Sequence, residues 1–437
     1  MADGFLLRGA RLVDPAAERD EQVSVLIRDG VVAAVDPTGA ADIGGAIGGA
    51  ETIDCDGLVL APGFVDLHTH LREPGGEDRE TVASGTRAAA LGGYTAVSAM
   101  ANTEPVADNA AVIQEVLALA ADAGFCDVYP VGAITKGLAG ESLTEMGEMA
   151  SNGVRIFSDD GHCVSNARLM RMAMEYSRAF DVVLAQHAQE PALTEDWQMH
   201  EGPTSWLLGL AGAPSEAEEM IVSRDLMLAR LTGARIHMCH LSSKGSVEMV
   251  RGAKSRGIRV TAEVTPHHLT FTDADLVDYD TNFKVNPPLR SEADREALIE
   301  GLADGTIDAV ATDHAPHAAQ DKEKEFDQAP PGMIGLETAL AAVLALVHEG
   351  RLTMPRAVEA LSTVPARILG TAEHGGPVQA GAVANLTVFD PNAEWVAEPP
   401  FASLSSNSAF IGRALKGRVV HTFYRGVPTV FGGKAVR

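Results

Sequence analysis

Between residues 63 and 312 the sequence repeats one pattern eight times: a short apolar, β-rich run followed by a segment with helical signals. Strands are expected at 63–70, 94–101, 127–134, 154–158, 182–186, 235–240, 259–264 and 309–312. Helices are expected between them. The segment 80–91 stops at Gly92-Gly93. Asn109 caps 109–123, Ser215-Glu-Ala-Glu218 reads as a capping box, Ser291 caps 292–302, and 335–349 supplies an Ala- and Leu-rich last helix. Strands that alternate with helices build parallel βα units, and eight in succession close into an α/β fold of the (β/α)₈ (TIM) barrel type. A β-sandwich would not alternate in this way.

The flanks read differently. Residues 6–13, 23–27, 31–35 and 52–60 are β-rich, with a hairpin signal at Arg28-Asp29-Gly30 and a Gly/Ala-rich loop, expected to be mobile, at 39–49. After Gly370 strands return at 384–390, 415–424 and 428–431, with turns at Gly381, Gly417 and Gly426. Either flank alone holds too little apolar surface for independent stability, so both are expected to join in one small β domain. The expected division is 1–60 and 368–437 for that domain and 61–367 for the barrel. A net charge of −26 argues against nucleic acid or an anionic membrane as partner, because both need clustered Lys and Arg. Four scattered cysteines without a CxxC pair fit reduced thiols in a cytoplasmic protein. Neither a signal peptide nor a membrane-spanning run is read.

Barrel active sites form at the C-terminal ends of the strands, and here those ends carry chemistry. Strand 1 closes on Asp66-Leu-His68-Thr-His70. Residues two apart on a strand share a face, so His68 and His70 converge. Strand 4 runs into Asp159-Asp160, strand 5 ends at His187, strand 6 at His240 and strand 8 at Asp313. An HxH pair alone is weak, but four histidines and two or three carboxylates at one rim make a site for two Zn²⁺ or similar ions. Imidazole and carboxylate ligands without thiolate suit a catalytic centre. Of Asp159 and Asp160, one is expected to bind metal and the other to cap the following turn. Asp66 is expected to support the histidines from below. His237 is read as a core residue, His267, His268 and His314 as structural or outer-layer residues, and His162 and Cys163 as loop packing. His200, His348, His374 and His421 are assigned no chemistry, and Met170–Met174 are read as core.

With these residues in place the chain resembles the class I (bacterial type I) dihydroorotases, cyclic amidohydrolases of the amidohydrolase superfamily. The resemblance runs over nearly the whole length and rests on PGFVDLHTHLREPG (62–75), MANTEP (100–105), FSDDG (157–161), FKVNPPLR (283–290) and ATDHAPH (311–317). It implies that His68, His70 and Asp313 hold the more buried of two zinc ions and that His187 and His240 hold the other. Many relatives bridge the metals with a carboxylated Lys on strand 4. Here no Lys lies between Val154 and Gly161, Ser158 stands near that position, and the matching Asp of the SDDG motif points to Asp160 as the bridge. One or two zinc ions per chain are implied, with two favoured.

The resemblance implies reversible closure of N-carbamoyl-L-aspartate to L-dihydroorotate in pyrimidine biosynthesis. Zinc lowers the pKa of bound water from 15.7 to about 7, so a bridging hydroxide can attack the ring carbonyl while Asp313 carries the proton. Arg72, two residues past His70, supplies a planar cationic fork for the substrate carboxylate; its competing role is a surface salt bridge with Glu73 or Glu77. Asn102 and His317 are implied to join Arg72, and Asn286 with the backbone of Pro331-Gly332 to contact the ring amides. Residues 322–325 are read as a solvated loop. A homodimer is expected on base rates, and the resemblance raises association with aspartate carbamoyltransferase. Three alternatives stand beside this reading: a dihydropyrimidinase, hydantoinase or allantoinase; a non-catalytic scaffold for aspartate carbamoyltransferase; and a purely structural zinc protein.

Overall fold

A computed structural model describes residues 4–36 and 49–437. Eight parallel strands form the barrel: β1 (Phe64–Thr69), β2 (Tyr94–Ala99), β3 (Asp127–Pro130), β4 (Ile156–Phe157), β5 (Val183–Gln186), β6 (Ile236–Met238), β7 (Val260–Val264) and β8 (Ala309–Val310). They fall into two runs, β1–β2–β3 and β4–β5–β6–β7–β8. Single parallel bridges close the circle, Gly132 to Phe157 between β3 and β4 and Thr69 to His314 between β8 and β1. All eight expected strands are present, though most end earlier than their apolar runs, because the chain leaves the ladder where it turns into the mouth.

The helices follow from their caps. Asn109 accepts from the Ala111 and Val112 N–H groups to start Ala110–Ala123, and Ser291 accepts from Asp294 to start Glu292–Ala303. The first helix is Val82–Leu91, two residues shorter than expected, because Thr81 caps it, accepting from Ser84 N–H. The Ser215 capping box does not form. Helix Glu216–Thr232 begins after a Ser215 without a side-chain cap bond. Ser215 Oγ instead accepts from Arg290 Nη1 at 3.3 Å, and Glu218 turns inward to Ser242 and Ser243. The buried Arg290, which also donates Nε to Ser242 Oγ at 2.7 Å, draws Ser215 and Glu218 into its own network and away from the helix start.

Strands from both flanks share one nine-stranded sheet, in the order Lys434–Ala435, Val427–Phe431, Ala414–Tyr424, Leu386–Val396, Val59–Pro62, Phe5–Asp14, Arg19–Arg28 and Val31–Asp36, with Glu51–Asp54 beside Phe5–Asp14. The two ends of the chain meet where Pro62 and Leu60 pair with Leu386 and Val388. Leu7, Leu12, Val25, Ile27, Leu60, Val388 and Phe423 form the core of this small β domain. The hairpin at Asp29-Gly30 is present, both residues having φ > 0 (48° and 81°). The expected turn at Gly417 is absent. Gly417 lies inside Ala414–Tyr424 at φ 108°, where a Cβ would run into Leu344 of helix Ala339–His348. The loop expected at 39–49 lies, except for Gly49, outside the described residues.

Candidate active site

Six side chains from five strand ends converge at the C-terminal mouth of the barrel. Asp160 stands at the centre. Its Oδ2 lies 3.2 Å from His68 Nε2 and 3.4 Å from His70 Nε2, while its Oδ1 lies 3.2 Å from His240 Nε2 and 3.4 Å from His187 Nδ1. Asp313 Oδ1 closes the first set, 3.1 Å from His70 Nε2 and 3.6 Å from His68 Nε2. One carboxylate therefore spans two imidazole pairs. His240 and Asp313 reach inward from φ values of 28° and 45°, and Arg72 from 61°, a backbone region that side-chain-bearing residues seldom occupy.

All six groups are buried. Burial opposes charge on Asp313 and Asp160, but the charge of His68 and hydrogen bonds from the surrounding imidazoles hold both carboxyls below their ordinary range. His68 and His187 are correspondingly raised, burial being outweighed chiefly by Asp160. His70 goes the other way, lowered by burial and by Arg72. The cluster thus needs positive charge to balance its carboxylates. Two further observations fit a cation. His68 Nε2 is buried among carboxylate oxygens, 3.2 Å from Asp160 Oδ2, without a well-aligned hydrogen bond among the described residues, and His187 Nδ1 faces His240 Nε2 at 3.0 Å. Groups of ligand atoms close enough to share an ion occur at His68–His70–Asp313 and at His68–Asp160–His240.

The neighbouring acids divide their work. Asp159 accepts from the Ile134 and Thr135 N–H groups at 2.7 and 2.9 Å and so ties the end of β4 to the loop after β3. Asp66 accepts from the N–H groups of His68 (3.1 Å) and Thr312 (3.0 Å), locking β1 to β8; burial pushes its carboxyl up to about 7 despite these bonds. His237 donates or accepts at Thr261 Oγ1 (2.8 Å) in the core. His268 bridges Thr265 Oγ1 and the Pro287 carbonyl, and His314 bonds Glu80 at 3.1 Å.

The candidate substrate groups lie around this centre. Arg72 is half-buried, donates Nε to the Pro316 carbonyl at 3.2 Å, and makes no ion pair among the described residues; burial and the nearby Arg79 lower it to about 10. Glu73 and Glu77, its expected alternative partners, bond the N–H groups of Val82 and Gly75 instead. Asn102 Oδ1 accepts from His70 Nδ1 at 2.9 Å. Asn286 Nδ2 lies 3.3 Å from His187 Nε2, whose proton goes to Gln189, and Asn286 Oδ1 is buried without a donor among the described residues. His317 gives its Nε2 proton to the Pro331 carbonyl at 2.9 Å and is held neutral, its pKa lowered to about 3 by burial and by Arg72. To donate to a carboxylate it must release Pro331. Gly332 (φ 136°) packs so near that a Cβ would lie 2.8 Å from His317 Nε2. A cavity of about 280 Å³ opens beside His187 and Asn286, lined also by His162, Cys163, Gln189 and Trp197.

Two neighbours of the site escaped the sequence reading. Glu263 on β7 accepts from His68 Nδ1 at 2.8 Å and lies 3.0 Å from His237 Nε2; burial notwithstanding, those imidazoles bring it down to about 2. Gln189 accepts from His187 Nε2 at 2.7 Å. Each fixes which ring nitrogen of its histidine faces the centre. One expectation is corrected: Lys322 is not solvated. It is buried, with Nζ donating to the Pro330 and Gly332 carbonyls at 3.0 and 3.1 Å, and burial lowers it to about 7. Its apolar stem and the Pro330 and Gly332 carbonyls draw it in, while Glu323, Lys324 and Glu325 stay exposed.

Comparison with known proteins identifies the family. A family model described as dihydro-orotase-like matches residues 57–246. A dihydroorotase of Streptomyces coelicolor is 53% identical over 98% of this chain and 99% of its own length, and one of Mycobacterium leprae is 50% identical over 98% and 99%. The chain belongs to the dihydroorotase family. Among solved structures, the L-hydantoinase (dihydropyrimidinase) of Arthrobacter aurescens superposes with a TM-score of 0.87 at 26% identity, covering 100% of this chain and 98% of that one. A D-hydantoinase at 24% identity and TM-score 0.81 shares the fold. This dihydroorotase-family chain therefore carries the amidohydrolase barrel and β domain, with a His/Asp centre suited to a metal. No helix among the described residues is long and apolar enough to cross a membrane.

Proposed function

We propose that this chain is a zinc-dependent dihydroorotase, interconverting N-carbamoyl-L-aspartate and L-dihydroorotate plus water in cytoplasmic pyrimidine biosynthesis. The observation that carries this reading is the division of the Asp160 carboxylate, one oxygen toward His68 and His70 and the other toward His187 and His240. His68, His70 and Asp313 would hold one ion, His187 and His240 the second, and Asp160 both. When bound, zinc supplies a Lewis acid and brings the pKa of water from 15.7 to about 7.

The chain's own residues do the rest. Asp313, ionised and oriented by His70, accepts the proton of the attacking water and returns it to the ring nitrogen as that bond breaks. Ring closure runs the same transfers backwards. Arg72 receives the substrate carboxylate with Asn102 and His317, and Asn286 Oδ1, lacking a donor, offers an acceptor to a ring N–H. Pro331-Gly332 lines the ring from the other side. We take the barrel as 61–367 and the β domain as 1–60 with 368–437, the chain working as a homodimer or beside aspartate carbamoyltransferase.

The hydantoinase reading has the structural likeness in its favour. Hydantoin and dihydrouracil carry no carboxylate, however, and would leave the desolvated Arg72 without a counter-charge. Assays of the zinc-loaded protein against L-dihydroorotate, hydantoin and dihydrouracil decide between them. Fastest turnover of L-dihydroorotate is expected, and faster turnover of either other ring would overturn the assignment.

A further inference from the structure

The long strands Leu386–Val396 and Ala414–Tyr424 of the β domain are joined by a loop, 397–413, that docks on the barrel mouth instead of remaining on its own sheet. Its Asn407 is 4% exposed and makes four hydrogen bonds. Oδ1 accepts from the His317 N–H at 3.0 Å, and Nδ2 donates to the carbonyls of Ala315 at 3.0 Å and Gly332 at 3.1 Å. Its main-chain carbonyl accepts from Ile334 N–H at 2.8 Å. Every one of these partners lies in 315–317 or 331–334, the two segments that carry His317 and the Pro331-Gly332 backbone.

We infer that Asn407 is a positioning residue for the substrate, setting the spacing between the carboxylate contact at His317 and the ring-amide contact at Gly332 from outside the barrel. The inference rests on the proposed roles of those two contacts. Asparagine suits the place because the site asks for one acceptor and two donors on a planar group. The network also fixes which end of the amide is which, since an N–H must meet oxygen and two carbonyls must meet nitrogen. Lys322, also on the Gly332 carbonyl, holds one segment only. The two segments also touch directly, through Ala315 N–H to the Met333 carbonyl at 2.9 Å and His317 Nε2 to the Pro331 carbonyl at 2.9 Å; Asn407 adds a side-chain brace to both from the β-domain loop.

Asn407→Asp tests this, because it keeps the volume and the acceptor for His317 but turns both donors into an oxygen facing two carbonyls. In zinc-loaded full-length protein, KM for L-dihydroorotate is expected to rise about tenfold or more, the scale of a buried unsatisfied group, with kcat within about threefold of the parent and zinc content unchanged. Because Asn407 acts through His317, the Asn407→Asp/His317→Ala double variant should have a KM close to that of His317→Ala alone. Asn407→Ser, which retains one donor, should fall between. An unchanged KM in either single variant, or additive effects in the double variant, would overturn the brace. Should no variant fold, hydrogen exchange on the parent decides: slow exchange of the His317 and Ile334 amides is expected, and rapid exchange of both would overturn it. A parent inactive on L-dihydroorotate would instead overturn the functional reading, whereas an active parent with an unaffected variant defeats the brace alone.

Discussion

At the scale of single residues, the account assigns separate jobs that separate measurements can read. Asp313→Ala removes the proton carrier while His68, His70 and Asp160 remain, so turnover should fall by about 10²–10⁴ with zinc still bound by elemental analysis. Retained activity would dismiss Asp313 from that role. Arg72→Ala should raise KM for L-dihydroorotate by roughly 10–100-fold, as expected for a hydrogen-bonded charge, and leave kcat much less affected. Glu263→Gln keeps the shape but weakens the acceptor that aligns His68, and should loosen metal binding by about 10–100-fold in chelator competition; equal affinity would reduce Glu263 to a core residue. The four histidines and Asp313 were legible because each interrupts an apolar run at the end of a barrel strand, where a polar group needs a reason; that pattern left Asp159 and Asp160 undivided, and only the SDDG motif singled out Asp160. Glu263 left a similar trace, a lone carboxylate in Val260-Thr-Ala-Glu-Val264, a strand of a parallel sheet whose faces should both be apolar. Asn407 left none, since nothing local marks a loop asparagine that works on residues some 75 to 92 positions away in the chain.

Among the elements, caps and strand periodicity were read correctly wherever the competing partners were local, as at Asn109 and Ser291. Ser215 and Gly417 were misread because their partners, Arg290 and Leu344, are distant in sequence. The same 397–413 loop that carries Asn407 also seats on Glu337, which accepts from Ala402 N–H at 2.8 Å. Burial pushes the Glu337 carboxyl up to about 7, against the pull of the Ala402 and Ser403 amides. A carboxyl raised in the folded state favours folding below its unfolded value and loses that advantage as pH rises toward the folded one. Stability from this group should therefore fall between about pH 4.5 and 7. Glu337→Gln, which cannot ionise, should be more stable than the parent by about 1–3 kcal/mol at pH 8 and little different at pH 4. Thermal melts at both pH values check this, and a gain that is the same at each would refute it.

For the molecule as a whole, the eightfold alternation made the barrel plain, and the β flanks pointed to a shared second domain. Their pairing partners, Val59–Pro62 with Leu386–Val396, could be settled only by folding, because strand order across more than three hundred residues has no local signature. The architecture gathers imidazoles from β1, β5 and β6 around the Asp160 carboxylate of β4, with Asp313 of β8 beside the β1 pair, and the central claim is that this cluster loads two zinc ions and thereby opens L-dihydroorotate. The direct test is to strip the protein of metal and titrate zinc back while following L-dihydroorotate hydrolysis. The account predicts that activity returns with zinc and saturates near two equivalents per chain; full activity in the stripped protein, or saturation with zinc and no hydrolysis, would contradict it.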